Sequence, residues 1–115
     1  MSHYQQFYIN GNWVAPKGTQ TLDVINPATE EAVATIALGN KEDVDLAVAA
    51  AKAAFESYSQ TTREERIALL ERVIEVFKKR MGDVATAISQ EMGAPAKLAK
   101  VAQAPSGLGH FVTAL

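Results

Sequence analysis

The sequence predicts an α/β chain in which a β-hairpin ribbon at residues 6–38 is followed by amphipathic helices at residues 40–115. Three observations support this fold class: turn dipeptides separate short alternating segments near the N-terminus, the apolar spacing becomes helical after Asn40, and 48% of residues are hydrophobic and 21% charged. That composition is typical of a globular protein. A chain of 115 residues is long enough for one domain and too short for two.

Two hairpins are predicted in the ribbon. Asn10-Gly11 is the dipeptide preferred in tight hairpin turns, because both turn positions take a positive φ. Asn26-Pro27 starts a second turn, since proline fixes φ and the asparagine side chain caps its own backbone. Such a ribbon is marginal alone and needs a surface to pack on. The predicted strands are residues 6–9, 13–14, 22–24 and 31–38.

The first two helices have clear start signals. Asn40 is expected to be the N-cap of the first helix, where Glu42 and Asp43 suit the positive end of the helix dipole. Thr62 and Glu65 form the pattern of a capping box at the start of the second helix. The apolar stripe of the first helix comprises Val44, Ala47, Val48, Ala51, Ala54, Phe55 and Tyr58.

Single residues set the predicted boundaries further along. Gly82 is expected to end the second helix, and Asp83 to cap a third that Gly93 breaks. A short helix follows, and Pro105 opens a last one at its first turn. Residues 101–115 carry no Asp, Glu, Lys or Arg. This favours a segment cut from a larger protein over a domain that ends in a buried helix.

Charge and composition exclude several classes of partner. The formal net charge is −2 and no segment is strongly basic, so no nucleic-acid partner is expected. Cysteine is absent, which removes disulfides, zinc-thiolate sites and thiol nucleophiles from this chain. No apolar run approaches the ~20 residues of a membrane span, and the N-terminus lacks the pattern of a secretory leader. We therefore expect a cytoplasmic protein without a membrane partner.

The residues themselves predict no catalytic or cofactor-binding set. There is no phosphate-binding glycine motif, and Gly107-Leu108-Gly109 is interpreted as structural. His3 is expected in a mobile end and His110 as a packed helical residue, so neither is assigned to a metal site. Glu75 and Lys79 are expected to pair on a solvated helix face. The aromatic side chains expected in the core are Phe7, Trp13, Phe55, Tyr58 and Phe77.

Five motifs in order nevertheless resemble one family. They are FYINGNW at residues 7–13, VINPATEE at residues 24–31, EDVDLAVAAAKAAF at residues 42–55, REERIALL at residues 63–70 and EMGAP at residues 91–95. They are similar to the opening of the NAD(P)-dependent aldehyde dehydrogenase superfamily. Three residues depart from the family pattern: Glu30 replaces a glycine, Tyr58 a tryptophan and Ala94 a lysine.

The resemblance implies that residues 1–115 are the N-terminal part of a larger doubly wound aldehyde dehydrogenase-like fold. The parent enzyme would oxidise an aldehyde to a carboxylic acid with NAD or NADP, through a cysteine thiohemiacetal formed outside this chain. Downstream residues would bind most of the cofactor, and the parent would be a homodimer or homotetramer. Two alternatives stay open: a non-catalytic helical interaction or scaffold module, and an acylating semialdehyde dehydrogenase.

The resemblance also implies one site within this chain. Many family members hold a structural K+ or Na+ ion, and the matching positions here are the backbone carbonyls of Val24 and Ile25 and the side chain of Glu91. A hard cation prefers such oxygen ligands. The alternative is a solvated Glu91 near a helix end. The family counterpart of the last helix borders the substrate entrance, which would place Ser106, His110 and Phe111 there.

Overall fold

The computed structural model describes residues 3–115. The strands are β1 (Phe7–Ile9), β2 (Asn12–Val14), β3 (Thr21–Asn26) and β4 (Glu31–Ala37). The helices are α1 (Lys41–Tyr58), α2 (Arg63–Met92), α3 (Ala96–Leu98), a π-helical turn (Ala99–Gln103) and α4 (Ala104–Thr113).

These elements belong to two compact units. The first unit holds the residues up to Ile25 together with Ala32–Gln60, and the second holds Asn26–Glu31 and Thr61–Leu115. Among residues 3–115, none of the helices combines the length and the apolar character that crossing a membrane requires.

The first hairpin forms as predicted, through a tight turn at Asn10-Gly11. Both turn residues have a positive φ, 51° for the asparagine and 77° for the glycine, as a type I′ turn requires. The turn sets an antiparallel register in which Phe7 faces Val14 and Tyr8 faces Trp13. The expectation for this part of the ribbon is therefore confirmed.

His3, which was expected in a mobile end, has two side-chain contacts in the structure. Its imidazole ring stacks on the indole of Trp13, with ring centroids 4.2 Å apart and an angle of 6° between the planes. Its Nδ1 atom lies 2.6 Å from Oε1 of Gln6, within hydrogen-bond distance. The flat stack covers part of an aromatic face that would otherwise contact water.

The second hairpin forms a sheet of its own. β3 pairs with β4, and β1 pairs with β2, so the single ribbon expected at residues 6–38 is two separate two-stranded sheets. The turn between β3 and β4 closes when the amides of Thr29 and Glu30 donate to the Asn26 carbonyl, at 3.3 and 2.8 Å. The Asn26 side chain also accepts from the amide of Ala28 at 2.9 Å, as expected for this turn.

Glu30 is strained within this turn. Its φ is 60°, in the left-handed region, which costs most side chains free energy because Cβ approaches the following carbonyl. Glycine has no Cβ and adopts this conformation freely. The departure of this sequence from the family pattern therefore falls on a position where the backbone favours glycine.

The start of α1 is held by a reciprocal pair of hydrogen bonds. The Asn40 side chain accepts from the Asp43 amide, and the Asp43 carboxylate accepts from the Asn40 amide, both at 3.0 Å. The predicted N-cap is thus confirmed. The buried Asp43 carboxylate also accepts from the Lys17 amide at 2.9 Å, so one side chain connects α1 to the segment between the two hairpins.

These bonds favour the charged form of the carboxyl group. The backbone N–H groups of Asn40 and then Lys17 lower the pKa of Asp43, and Gly18 contributes further in the same direction. The sequence indicated only a favourable position for Asp43 in the helix dipole. The link to Lys17 was missed because the two residues are 26 positions apart.

The start of α2 confirms the second capping box. The Glu65 carboxylate accepts from the Thr62 amide at 2.7 Å, and the Thr62 hydroxyl accepts from the Glu65 amide at 3.2 Å. The Thr62 amide, followed by the Thr62 hydroxyl, lowers the pKa of Glu65. Local sequence was sufficient to predict this helix start because both partners lie within one turn.

The predicted break at Gly82 is wrong, because α2 continues to Met92. Apolar residues keep a three-four spacing on both sides of Gly82, and their packing outweighs the ~1 kcal/mol that a helical glycine costs. Asp83 therefore does not cap a helix; its carboxylate accepts from Arg80 at 3.1 Å on the surface. Glu75 likewise pairs with Lys78 at 3.1 Å, and not with Lys79 as expected.

The helix break predicted at Gly93 is present, but the helix that ends there is α2 and not a separate third helix. The φ of Gly93 is 67°, the left-handed conformation typical of a helix C-cap, and its N–H donates to the Ser89 carbonyl at 3.1 Å. A Cβ at this position would lie 2.8 Å from Cγ of Pro27, too close for any side chain. Both the backbone angle and the neighbouring turn therefore require glycine here.

The last helical segment has no break between its parts. α3, the π-helical turn and α4 follow one another, and the N–H of Ala104 donates five residues back, to the Ala99 carbonyl. Pro105 lies in the first turn of α4, as predicted. Proline has no N–H to donate, and the five-residue bond of Ala104 directly precedes it.

Small residues form the core of the second unit. Ala85, Ala99 and Ala104 are buried together, with Met81, Val84, Ile88 and Ala94 packed around them. Alanine side chains let two helices approach closely, which places α2 against the π-helical turn.

The aromatic core predicted from spacing is only partly present. Phe7 and Phe77 are half-buried, and the Phe77 ring meets Phe111 with centroids 5.6 Å apart. Trp13, Phe55 and Tyr58 are instead exposed, with 67% of Phe55 accessible. Helical spacing predicts which residues share a face, but it does not determine whether another element covers that face.

We expect Glu30→Gly to raise the free energy of unfolding by about 1 kcal/mol, because glycine adopts the left-handed conformation without strain. The greater entropy that glycine gives the unfolded chain offsets part of this gain. Urea denaturation of the two proteins measures the difference. Glu31→Gly, one residue later and inside β4, is the matched control and should destabilise the protein. An unchanged or lower urea midpoint for Glu30→Gly would contradict the strain argument.

Asp43→Asn should destabilise the protein near neutral pH. Each carboxylate oxygen of Asp43 accepts a hydrogen bond from a backbone N–H, and the substitution replaces one of these oxygens with an NH₂ group, which cannot accept. The pKa of Asp43 in the folded protein lies below its ordinary value of 3.8. The ionised carboxylate therefore contributes its full stabilisation of the folded state above pH 3.8, and this contribution is lost as the pH falls through the folded-state pKa. Thermal melts across this range should therefore show the difference from wild type shrinking in acid. Asp45→Asn, on the exposed surface of α1, is the control; an equal loss there would refute the role of Asp43.

Candidate functional site

Two of the three residues expected at a cation site lie on β3. Val24 is half-buried and Ile25 is exposed, the alternation of a strand with one covered face. Among residues 3–115, β3 pairs with β4 alone in its sheet, and carbonyls of successive strand residues point to opposite edges, so one of these two carbonyls lies on the edge outside the ladder. Carbonyl oxygens on such an edge have the chemistry that a hard monovalent cation requires.

The third expected residue, Glu91, lies in the second unit. It is the penultimate residue of α2, and its side chain is exposed. The last turn of α2 contains no basic residue. Since the carbonyl end of a helix carries partial negative charge, a carboxylate there is unfavourable unless a positive group compensates for it. This end of α2 therefore has an electrostatic preference for a cation.

The turn that follows Ile25 contacts the residue that ends α2. Pro27 lies against Gly93, as the 2.8 Å distance to an added Cβ shows, and the Ala28 amide would be 3.4 Å from that Cβ. Sequence reasoning missed this contact, although it predicted a helix break at Gly93. Among residues 3–115, there is no group of three or more His, Cys, Asp or Glu side chains suited to a metal ion.

The residues expected at a substrate entrance lie on α4 and point in different directions. Phe111 is half-buried against Phe77, whereas Ser106 and His110 are exposed. The packed position expected for His110 is therefore wrong. The reason is that α4 turns its small face toward α2: a Cβ on Gly107 would lie 3.1 Å from Cζ of Phe77, which supports the structural role expected for this glycine.

The family resemblance is borne out by comparison with known proteins. A sequence model of the aldehyde dehydrogenase family matches residues 13–114. A 3-succinoylsemialdehyde-pyridine dehydrogenase from a Pseudomonas species is 52% identical over 115 residues, which are 99% of this chain and 24% of that protein.

Solved structures share the fold. An aldehyde dehydrogenase from Bartonella henselae superposes with a TM-score of 0.91 at 45% identity, over 93% of this chain and 22% of its own. A mutant of aldehyde dehydrogenase C from Pseudomonas syringae, in complex with NAD+ and octanal, gives a TM-score of 0.92 at 45% identity, over 95% of this chain and 22% of its own.

These matches cover nearly all of the present chain but a small part of each relative. The chain spans about a quarter of the length of the curated relative, 24%. Two antiparallel hairpins followed by helices are thus the N-terminal portion of a larger α/β fold. With its five ordered motifs and a family match over residues 13–114, the chain belongs to the aldehyde dehydrogenase family.

Proposed function

We propose that this chain is the N-terminal part of a longer cytoplasmic enzyme that oxidises an aldehyde to a carboxylic acid with NAD or NADP. The observation that carries the proposal is the close superposition on a relative whose structure contains both NAD+ and octanal. The 52% identity to a semialdehyde dehydrogenase supports the same reaction and adds semialdehydes to the candidate substrates. A homodimer or homotetramer is proposed for the assembled enzyme.

The catalytic residues of such an enzyme and the residues of this chain have different roles. In the proposed reaction a cysteine thiolate attacks the aldehyde carbonyl, and an activated water later releases the acid. NAD(P)+ accepts the hydride. This chain contains no cysteine, so the proposal places the nucleophile and most cofactor contacts in the other part of the enzyme. The present residues would supply structural support.

We also propose that the carbonyls of Val24 and Ile25, with the Glu91 carboxylate, hold a K+ or Na+ ion. Two observations support this proposal. Glu91 lies at the negative end of α2 without a basic residue in the last turn. Pro27, two residues after Ile25, packs on Gly93, two residues after Glu91. A cation would offset the carboxylate charge and stabilise the folded protein.

The activity is tested with the full-length protein that carries this chain. It should form NADH or NADPH when given octanal or a semialdehyde, measured by absorbance, while the 115-residue chain alone should form none. The free acid is the expected product; an acyl thioester formed only with added coenzyme A would favour an acylating dehydrogenase. No reduced cofactor with any aldehyde in a broad panel would refute the proposed function.

The cation is tested by melting the same protein in potassium chloride and in choline chloride at equal ionic strength. An ion at tenfold excess over its Kd stabilises the folded state by about 1.4 kcal/mol, which should appear as a higher Tm in potassium or sodium. Glu91→Gln should remove most of this difference. Glu71→Gln, an exposed carboxylate in the middle of α2, should retain it. Equal responses of the two variants would refute the site.

A further inference from the structure

The turn of the first hairpin contains two groups that can react with each other. Asparagine occurs at positions 10, 12, 26 and 40, and only Asn10 is followed by glycine. The side-chain carbonyl carbon of an asparagine is an electrophile, and the backbone nitrogen of the next residue is a nucleophile close to it along the chain. Asparagine is accordingly one of the thermolabile residues of proteins. Asn10-Gly11 is therefore the strongest candidate for such a reaction in this chain.

The structure leaves both groups accessible. Asn10 is exposed. β1 and β2 pair Ile9 with Asn12, so Asn10 and Gly11 are the two loop residues and their N–H groups lie outside the ladder. Apart from the two chain neighbours, a Cβ added to Gly11 would meet no atom of residues 3–115 within 4 Å. The space beside the Gly11 backbone is therefore open.

The backbone of Asn10 has part of the geometry that ring closure requires. Its φ is 51°, and with 77° at Gly11 the turn is type I′. Rotation of the peptide between the two residues converts this turn to type II′, in which the first residue keeps a positive φ and has a ψ of about −120°. At that ψ the Gly11 nitrogen eclipses the Asn10 Cβ atom, as in a five-membered ring. Glycine accepts the accompanying change of φ because both signs are open to it.

The other asparagines are less reactive for structural reasons. Asn26 precedes Pro27, whose nitrogen carries no hydrogen to lose. The Asn40 side chain is held at the start of α1, where it accepts from the Asp43 amide at 3.0 Å. Asn12 lies in β2, where the extended backbone keeps the next nitrogen away from the side chain. These residues are internal controls for a reaction at the turn.

We propose that Asn10 is a modification site, at which the side chain deamidates through a cyclic imide formed with Gly11. The Gly11 nitrogen bonds to the Asn10 side-chain carbonyl carbon, and the carboxamide nitrogen leaves as ammonia with the proton of the Gly11 N–H. Water then adds to an imide carbonyl and opens the ring. Addition at the side-chain carbonyl gives aspartate. Addition at the backbone carbonyl gives isoaspartate, whose main chain contains an additional methylene.

The two products have different effects on the first hairpin. Aspartate followed by glycine suits a type I′ turn as asparagine does, so this product adds a negative charge and keeps the turn. Isoaspartate lengthens a two-residue loop, and loop length fixes the register that places Tyr8 opposite Trp13. Deamidation therefore converts part of the protein to a form with an altered hairpin.

The test uses the full-length protein that carries this chain, incubated in mildly alkaline buffer made with heavy-oxygen water. Peptide mass spectrometry locates each new acid, and the oxygen label marks acids formed before digestion. Asn10 should convert at least about tenfold faster than Asn26 and Asn40, since those two react only after local unfolding. A methyltransferase specific for isoaspartate should modify the peptide that contains position 10.

Gly11→Asn is the matched variant, because asparagine tolerates a positive φ while its Cβ crowds the attacking nitrogen. This variant should slow the conversion of Asn10 severalfold. Equal conversion of Asn10 and Asn26 in the folded protein would overturn the proposal, and so would an unchanged rate in Gly11→Asn. Conversion of Asn10 only in urea would overturn it as well, because the reaction would then require the unfolded chain. The reaction involves no catalytic residue, so its outcome is independent of the proposed function.

Discussion

The main constraint on this structure is that very few of its side chains are buried. Within residues 3–115 the buried hydrophobic side chains are those of Ile74, Ala85, Ala99 and Ala104, and no large side chain is fully buried. Hydrophobic burial is the main favourable term in folding. Elements that bury so little depend strongly on local hydrogen bonds for their definition.

Local hydrogen bonds do define the elements. The Asn40–Asp43 and Thr62–Glu65 pairs set the starts of the two long helices, and Gly93 sets the end of the second. Asp43 does more than the others, because its carboxylate also accepts from the Lys17 amide and so orders the segment between the hairpins. Such bonds specify where helices begin and end, but they add little apolar burial.

The same constraint connects structure with function. The chain covers about a quarter of the length of its curated relative, and many of its large apolar side chains are exposed. Glu91 is an exposed carboxylate at the negative end of α2. The proposed cation would offset the charge of this carboxylate.

By itself the sequence determined the features whose partners lie within one turn of chain. It predicted the Asn10-Gly11 turn, the Asn40 N-cap, the Thr62–Glu65 capping box and the helix break at Gly93, because backbone angles and caps depend on immediate neighbours. The candidate cation residues came from family likeness, since backbone carbonyls leave no pattern in a sequence. Only the tertiary structure decided that α2 runs through Gly82, that His3 stacks on Trp13 and that Lys17 bonds Asp43. Those outcomes depend on packing and hydrogen bonds between separate segments, whose energies exceed local preferences and cannot be obtained from spacing along the chain.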